Sequence, residues 1–143
     1  MSTKEIDIII LDEIDSTNNE AQRILDHKSN FPLWIIANEQ TSGRGRKNKY
    51  WVSQKGNFMG TFILEHEIER QYIPNLSFVT SLALKKTIED FNSGMKDIFL
   101  KWPNDIIIND SKCAGILIES LRSNNNKEYL AIGKGVNLIK HPL

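Results

Sequence analysis

Cysteine and proline are scarce in this chain of 143 residues, with one of the former and four of the latter. A single cysteine excludes an internal disulfide framework and points to a reducing compartment. There is no N-terminal signal pattern and no long apolar run, so export and membrane insertion are not indicated, and a cytoplasmic protein is expected. An excess of either charge is lacking too. With 18 basic against 18 acidic side chains, nucleic acid is not expected as a partner. His27, His66 and His141 show no ligand spacing, so no protein-bound metal is expected. Repeats, low-complexity tracts and proline-rich linkers are absent, and the length suits one domain with a single core.

What is present reads as an α+β chain. Residues 6–11 are rich in β-branched side chains and predict a strand. Thr17-Asn18-Asn19-Glu20 has capping-box spacing, with Thr17 expected at the N-cap, and Ala21, Ile24 and Leu25 continue at helical spacing. Residues 33–37 and 57–64 predict further strands, the second apolar on nearly every residue and so buried on both faces. Pro74 is expected to open a long helix to about residue 92, with Leu76, Val79, Leu82 and Ala83 on one apolar face and Leu84, Ile88 and Phe91 displaced from it. Strands follow at 98–100, 106–108, 114–120 and 129–138, with Asn109-Asp110 and Asn124 to Asn126 as turns, which implies antiparallel pairing.

Cation, glycine and aromatic concentrate in the stretch from Glu39 to Trp51. Gly43 and Gly45 allow close backbone approach, Arg44, Arg46, Lys47 and Lys49 supply fixed positive charge, and Trp51 offers a flat face. On physical grounds this describes an anion-binding loop; alone, it reads equally as a solvated basic hairpin tip. Lys101-Trp102-Pro103-Asn104-Asp105 places a lysine at a strand end before a proline-enforced turn. Ser16, Thr17, Asn18 and Gln40 offer both donors and acceptors, though Ser16 to Asn18 alone would read as helix capping. Cys113 reads as a small buried hydrophobe and Trp102 as core.

Asp15-Ser16-Thr17-Asn18, the Gly43-Arg44-Gly45-Arg46 loop ending at Trp51, the Lys101 to Asp105 block, Lys112-Cys113-Ala114-Gly115-Ile116-Leu117-Ile118-Glu119 and Gly133-Lys134-Gly135-Val136-Asn137 together resemble the catalytic domain of biotin protein ligases, over roughly residues 8 to 138. The resemblance implies a mixed, largely antiparallel sheet with helices on one face, the architecture shared with class II aminoacyl-tRNA synthetases and lipoate ligases. It implies ATP-dependent activation of biotin to biotinyl-5′-AMP, with Mg2+ arriving with ATP, and transfer to a lysine of a biotin carboxyl carrier protein of acetyl-CoA carboxylase. Lys101 and Arg46 are the implied catalytic cations. Ser16, Thr17, Asn18, Gln40, Arg44, Gly45, Arg46, Lys101 and Gly115 are implied for biotin, with Gly115 and Gly133 making room for its tail. Arg44, Arg46, Lys47, Trp51, Lys112 and Asn137 are implied for ATP and the adenylate. The loop is expected to order around its anion, with Asn48 replacing a family glycine at a left-handed position. The family pattern also makes residues 1–143 a catalytic domain incomplete at its C-terminal end, without an N-terminal DNA-binding domain or a small C-terminal β domain. Such a chain, if complete, is expected to cover apolar surface by associating with itself, as a homodimer, or with another chain.

Other readings stay open at this level. Lipoate or octanoate ligation uses the same architecture, although Gln40 and the Asp15 to Asn18 group favour a ureido head. A non-catalytic binder of biotin or its adenylate is another, and a nucleic-acid binder using Gly43 to Lys49 is disfavoured by the zero net charge.

Overall fold

The computed structural model describes residues 5–92, 94 and 97–139; His141 lies outside them. A seven-stranded sheet runs in the order β1-β2-β3-β7-β6-β5-β4. Its strands are β1 (Asp7–Ile14), β2 (Leu33–Gln40), β3 (Phe58–Glu65), β4 (Ile98–Lys101), β5 (Asp105–Ile108), β6 (Ser111–Arg122) and β7 (Glu128–Val136). Among the described residues only β1 and β2 pair in parallel. A parallel neighbour needs a crossover, and α1 (Thr17–Ile24) supplies it. The other pairs are antiparallel. The tight β5–β6 connection works because Asn109 and Asp110 both take positive φ, at 50° and 59°, as a two-residue turn between right-twisted strands requires. The α+β class with a mixed, largely antiparallel sheet is the expected one.

Side chains alternate across a strand, so the register sorts the sheet into two faces. Gly115, Leu117 and Glu119 of β6 pair with Gly135, Gly133 and Ala131 of β7 and share one face. On that face α1 packs through Ala21 and Leu25 onto Leu33, Ile35, Ile63 and Ala131. An eight-residue helix is too short to persist alone, so this burial is what holds α1. The intervening positions Ala114 and Val136 look the other way, into a second cluster with Ile98 and Ile106 that α2 (Leu76–Phe91) covers through Leu84 and Ile88. Beyond α1, the first face is left with glycines and polar groups, and the site lies there.

Several local expectations are corrected. The residue Ser16, not Thr17, is the N-cap of α1, and its Oγ accepts from the Asn19 N–H at 3.4 Å; Glu20 pairs with Arg23 instead of closing a box. Pro74 sits inside a short 3-10 helix, Arg70–Asn75, and α2 begins after it at Leu76. Val79 and Leu82 of α2 are 59% and 57% exposed, because Leu84 and Ile88 of the displaced set face the sheet, while Phe91 of that set is exposed near the end of the helix. Trp102, read as core, is 73% exposed.

Candidate active site

A cavity of ≈ 380 Å³ opens on the α1 face of the sheet. Its lining comes from the start of α1, the end of β2, the Gly-Arg arm, the end of β4 with its turn, and the strands β6 and β7.

The polar end is built by α1 and β2. Thr17 and Asn18, 4% exposed each, occupy the first turn of α1, and Gln40, 8% exposed, ends β2. Gln40 Oε1 accepts from the Thr17 N–H at 2.8 Å and lies 3.1 Å from Thr17 Oγ1, while Gln40 Nε2 donates to Ser53 Oγ at 3.0 Å. Thr61 of β3, fully buried, places its Oγ1 2.8 Å from Thr17 Oγ1 and 2.6 Å from Asn18 Oδ1. Asn18 Nδ2 then donates to Glu119 Oε2 at 2.7 Å. Asp15 does not join this wall. Its carboxylate accepts from Arg23, Asn19 Nδ2 and the Ser16 N–H, and Arg23 foremost holds it well below the usual carboxylate range.

The arm is a small hairpin. Trp51 N–H donates to Gly43 O at 2.8 Å, Gly45 N–H to Lys49 O at 2.7 Å, and Arg44 bridges Tyr50. Gly43 is required here, since a Cβ would stand 2.5 Å from Trp51 O. The tip, Arg46–Asn48, turns on left-handed Lys47 and Asn48, with φ of 55° and 58°. Asn48 thus takes the conformation expected of it. Arg44 is not free to close over a phosphate in this state, because its guanidinium makes a two-pronged pair with Glu119, both contacts at 2.8 Å. Arg46 is exposed and reaches Asn104 Oδ1 at 3.4 Å. Lys47 and Lys49 are exposed and form no ion pair among the described residues.

The floor is a pair of glycines facing each other in register, Gly115 and Gly135, on which the Trp51 ring lies. A Cβ on Gly135 would fall 2.4 Å from Trp51 Cε2, and one on Gly115 3.0 Å from its Cζ3. Gly133 makes way for Asn18, whose Oδ1 stands 2.3 Å from the corresponding point. In this state the space expected for a ligand tail beside Gly115 and Gly133 is filled by the chain's own Trp51 and Asn18.

Cations reach the cavity from two strands. Lys101 ends β4 in register with Asp105, which is in register with Gly115, so Lys101 belongs to the cavity face; it is exposed and makes no ion pair among the described residues. Lys112 is better fixed. Its amine lies 2.9 Å from Asp105 Oδ1 and 5.4 Å from the centre of the Trp51 ring, a cation held over an aromatic face. Asn137 lies outside the cavity lining, because its amide is spent on strand ends: Nδ2 donates to Lys112 O at 3.0 Å and Oδ1 accepts from Asn57 Nδ2 at 3.4 Å. Cys113 is half-buried against the second cluster and burial pushes its thiol up, which keeps it protonated.

Asn104, Asp105, Glu119 and Thr61 are participants that the residue list from sequence omitted. The first two stood inside the Lys101 block and Glu119 ended the β6 motif, so a signal existed for them; Thr61, within an apolar strand, gave none.

The chain is similar to known proteins along nearly its whole length. The model of the Biotin/lipoate A/B protein ligase family matches residues 11–137. A Biotin--[acetyl-CoA-carboxylase] ligase of Paracoccus denitrificans is 39% identical over 133 residues, which is 93% of this chain and 55% of the relative. The Bifunctional ligase/repressor BirA of Bacillus subtilis is 34% identical over 136 residues, 94% of this chain and 41% of the relative. The chain therefore spans about half the length of these relatives. Among solved structures, a biotin protein ligase from Leishmania major in complex with biotinyl-5-AMP superposes with a TM-score of 0.81 at 28% identity, covering 98% of this chain and 60% of that one. The Aquifex aeolicus enzyme in complex with biotin and ATP gives 0.75 at 28% identity, covering 96% and 54%. With that family's model matched over residues 11–137, most of its length, the chain belongs to the Biotin/lipoate A/B protein ligase family.

Proposed function

We propose that this chain carries the site at which biotin is activated by ATP to biotinyl-5′-AMP and passed to a lysine of a biotin carboxyl carrier protein, in a reducing cytoplasmic compartment. The observation that carries the reading is the polarity of one cavity. Neutral donors and acceptors, Thr17, Asn18 and Gln40, stand at one end, and Lys112, Lys101 and Arg46 stand at the other. A ureido ring needs the first set and the junction of a carboxylate with a polyphosphate needs the second.

In the first half-reaction a carboxylate oxygen bonds to the α-phosphorus and pyrophosphate leaves. In the second, an acceptor amine bonds to the acyl carbon and AMP leaves. Both steps bring anions together, so the contribution of the chain is screening and alignment rather than a covalent nucleophile. Lys112, fixed between Asp105 and Trp51, is the cation best placed at the centre, with Lys101 and Arg46 closing on the phosphates from the rim. Trp51 offers its ring to the adenine. No group of three or more histidine, cysteine or acidic side chains able to hold a metal is found among the described residues, so Mg2+ would be carried by the phosphates.

The test is biotin-dependent pyrophosphate release and adenylate formation by the purified chain. Lys112→Ala is expected to lower the rate by about 10²–10³-fold, the usual cost of removing one group aimed at developing charge. Activity with lipoate in place of biotin, or Lys112→Ala turning over as fast as the parent chain, would reject the proposal.

A further inference from the structure

Glu119 faces the cavity side of β6 but does not line the cavity. Burial raises the pKa of its carboxyl, yet the hydrogen bonds from Arg44 and Asn18 outweigh this and hold it below the usual value. It is therefore an acceptor only, and that has consequences for every group chained to it.

A carboxylate can accept only from the Nδ2 end of Asn18, which turns Asn18 Oδ1 toward Thr61. The 2.6 Å contact between Asn18 Oδ1 and Thr61 Oγ1 then requires the proton of Thr61. A hydroxyl has one proton, so at its 2.8 Å contact with Thr17 Oγ1 the oxygen of Thr61 accepts. Thr17 must supply the proton there. Its other neighbour, Gln40 Oε1, is farther at 3.1 Å and already accepts from the Thr17 N–H. Each proton in the chain points toward Glu119, and among the described residues no group donates to Thr17 Oγ1. Thr17 lines the cavity, and with the protons so placed its oxygen keeps lone pairs that no protein group fills.

We infer that Glu119 is a positioning residue: through Asn18 and Thr61 it sets the direction of this hydrogen-bond chain, so that Thr17 presents an acceptor to a ligand N–H. The inference rests on the reading that the cavity takes the ureido head of biotin. It also predicts what reverses the chain. In Glu119→Lys the ammonium has only protons to offer, so Asn18 must flip and turn its Oδ1 toward it. Its Nδ2 then donates to Thr61, Thr61 donates to Thr17, and the position meant for the ligand N–H is occupied.

The double exchange Asn18→Asp with Glu119→Lys restores the direction. The carboxylate introduced on α1 would accept from the ammonium introduced on β6 with one oxygen and from Thr61 with the other, while Arg44 loses the same carboxylate as in the single variant. Comparing the two separates direction from the anchoring of Arg44. Calorimetric titration with biotin is expected to show Glu119→Lys about 10-fold weaker than the parent chain and the double variant recovering to within about threefold of it. Equal weakening in both variants, or no weakening in either, overturns the inference.

A second readout needs no ligand. The three-bond coupling between the buried Thr61 hydroxyl proton and its Hβ reports by NMR where that hydroxyl points. It should change in Glu119→Lys and return in the double variant; an unchanged coupling in Glu119→Lys overturns the inference. A parent chain that binds no biotin, yet shows this pattern of couplings, would reject the proposed function and leave the direction of the chain established.

Discussion

Thr61 shows how much of the site depends on one atom. It is fully buried in β3, and its hydroxyl joins the first turn of α1 to the strand beneath it through Thr17 and Asn18. Thr61→Val keeps the shape and removes the hydroxyl, leaving Asn18 Oδ1 buried without its donor. Chemical denaturation is expected to show a loss of about 1–3 kcal/mol, the cost of an unsatisfied buried polar group, together with weaker biotin binding. A stability loss below that range with binding intact would mean that Asn18 finds another partner. At this scale the sequence was legible where the chemistry was contiguous: Ser16, Thr17 and Asn18 lie in one block and do line the cavity together with Gln40. It was not legible where the partner is distant. Asn137 has the composition of a ligand contact, but its amide is consumed by Lys112 and Asn57, and no local pattern shows that.

Elements carry a different kind of constraint, seen in the glycines. Gly45 in the arm and Gly135 in β7 look alike in sequence, as glycines beside cations, yet a Cβ on Gly45 would stand 3.4 Å from Lys49 O, whereas one on Gly135 would enter the Trp51 ring. Gly135→Ala is therefore expected to lift Trp51 off the sheet and loosen the arm that Trp51 ends, while Gly45→Ala leaves the ring seated. The indole N–H signal of Trp51 in a nitrogen-proton NMR spectrum is the measurement, with a large displacement expected for the first substitution alone. A seated ring in Gly135→Ala would mean that β7 moves instead, at about 1–3 kcal/mol for overpacking. Strand order along the chain was readable because turn residues punctuate it, notably Asn109 and Asp110. The face of α2 was not. Both of its apolar sets lie at helical spacing, and only Leu84 and Ile88 of the second meet the sheet, so periodicity could identify the helix without choosing its inner side.

At the scale of the molecule, the sheet separates two environments. One face is polar and glycine-rich around the cavity; the other is aromatic between β2 and β7, and Lys134 is held there. Alternation from Gly133 and Gly135 turns its side chain to that face, where the amine lies 4.2 Å from the ring centre of Trp34 and 5.8 Å from that of Phe62. Burial pushes the amine down from 10.5 to about 8. Below pH 8 both folded and unfolded chains hold this proton, and the folded state bears the whole desolvation cost. Between about 8 and 10.5 the unfolded chain binds a proton that the folded chain has released, so stability contributed at this position rises with pH. Lys134→Met removes the charge while keeping most of the aliphatic stem, and is expected to raise the melting temperature most near pH 7, with the gain shrinking toward pH 10. The comparison with the parent chain at each pH cancels the titration of every other lysine. A gain that stays constant across this range would place the amine in water. A loss at pH 7 would mean that the attraction of the ammonium to Trp34 and Phe62 exceeds what burial takes from it, since the two act on the same charged form with opposite sign.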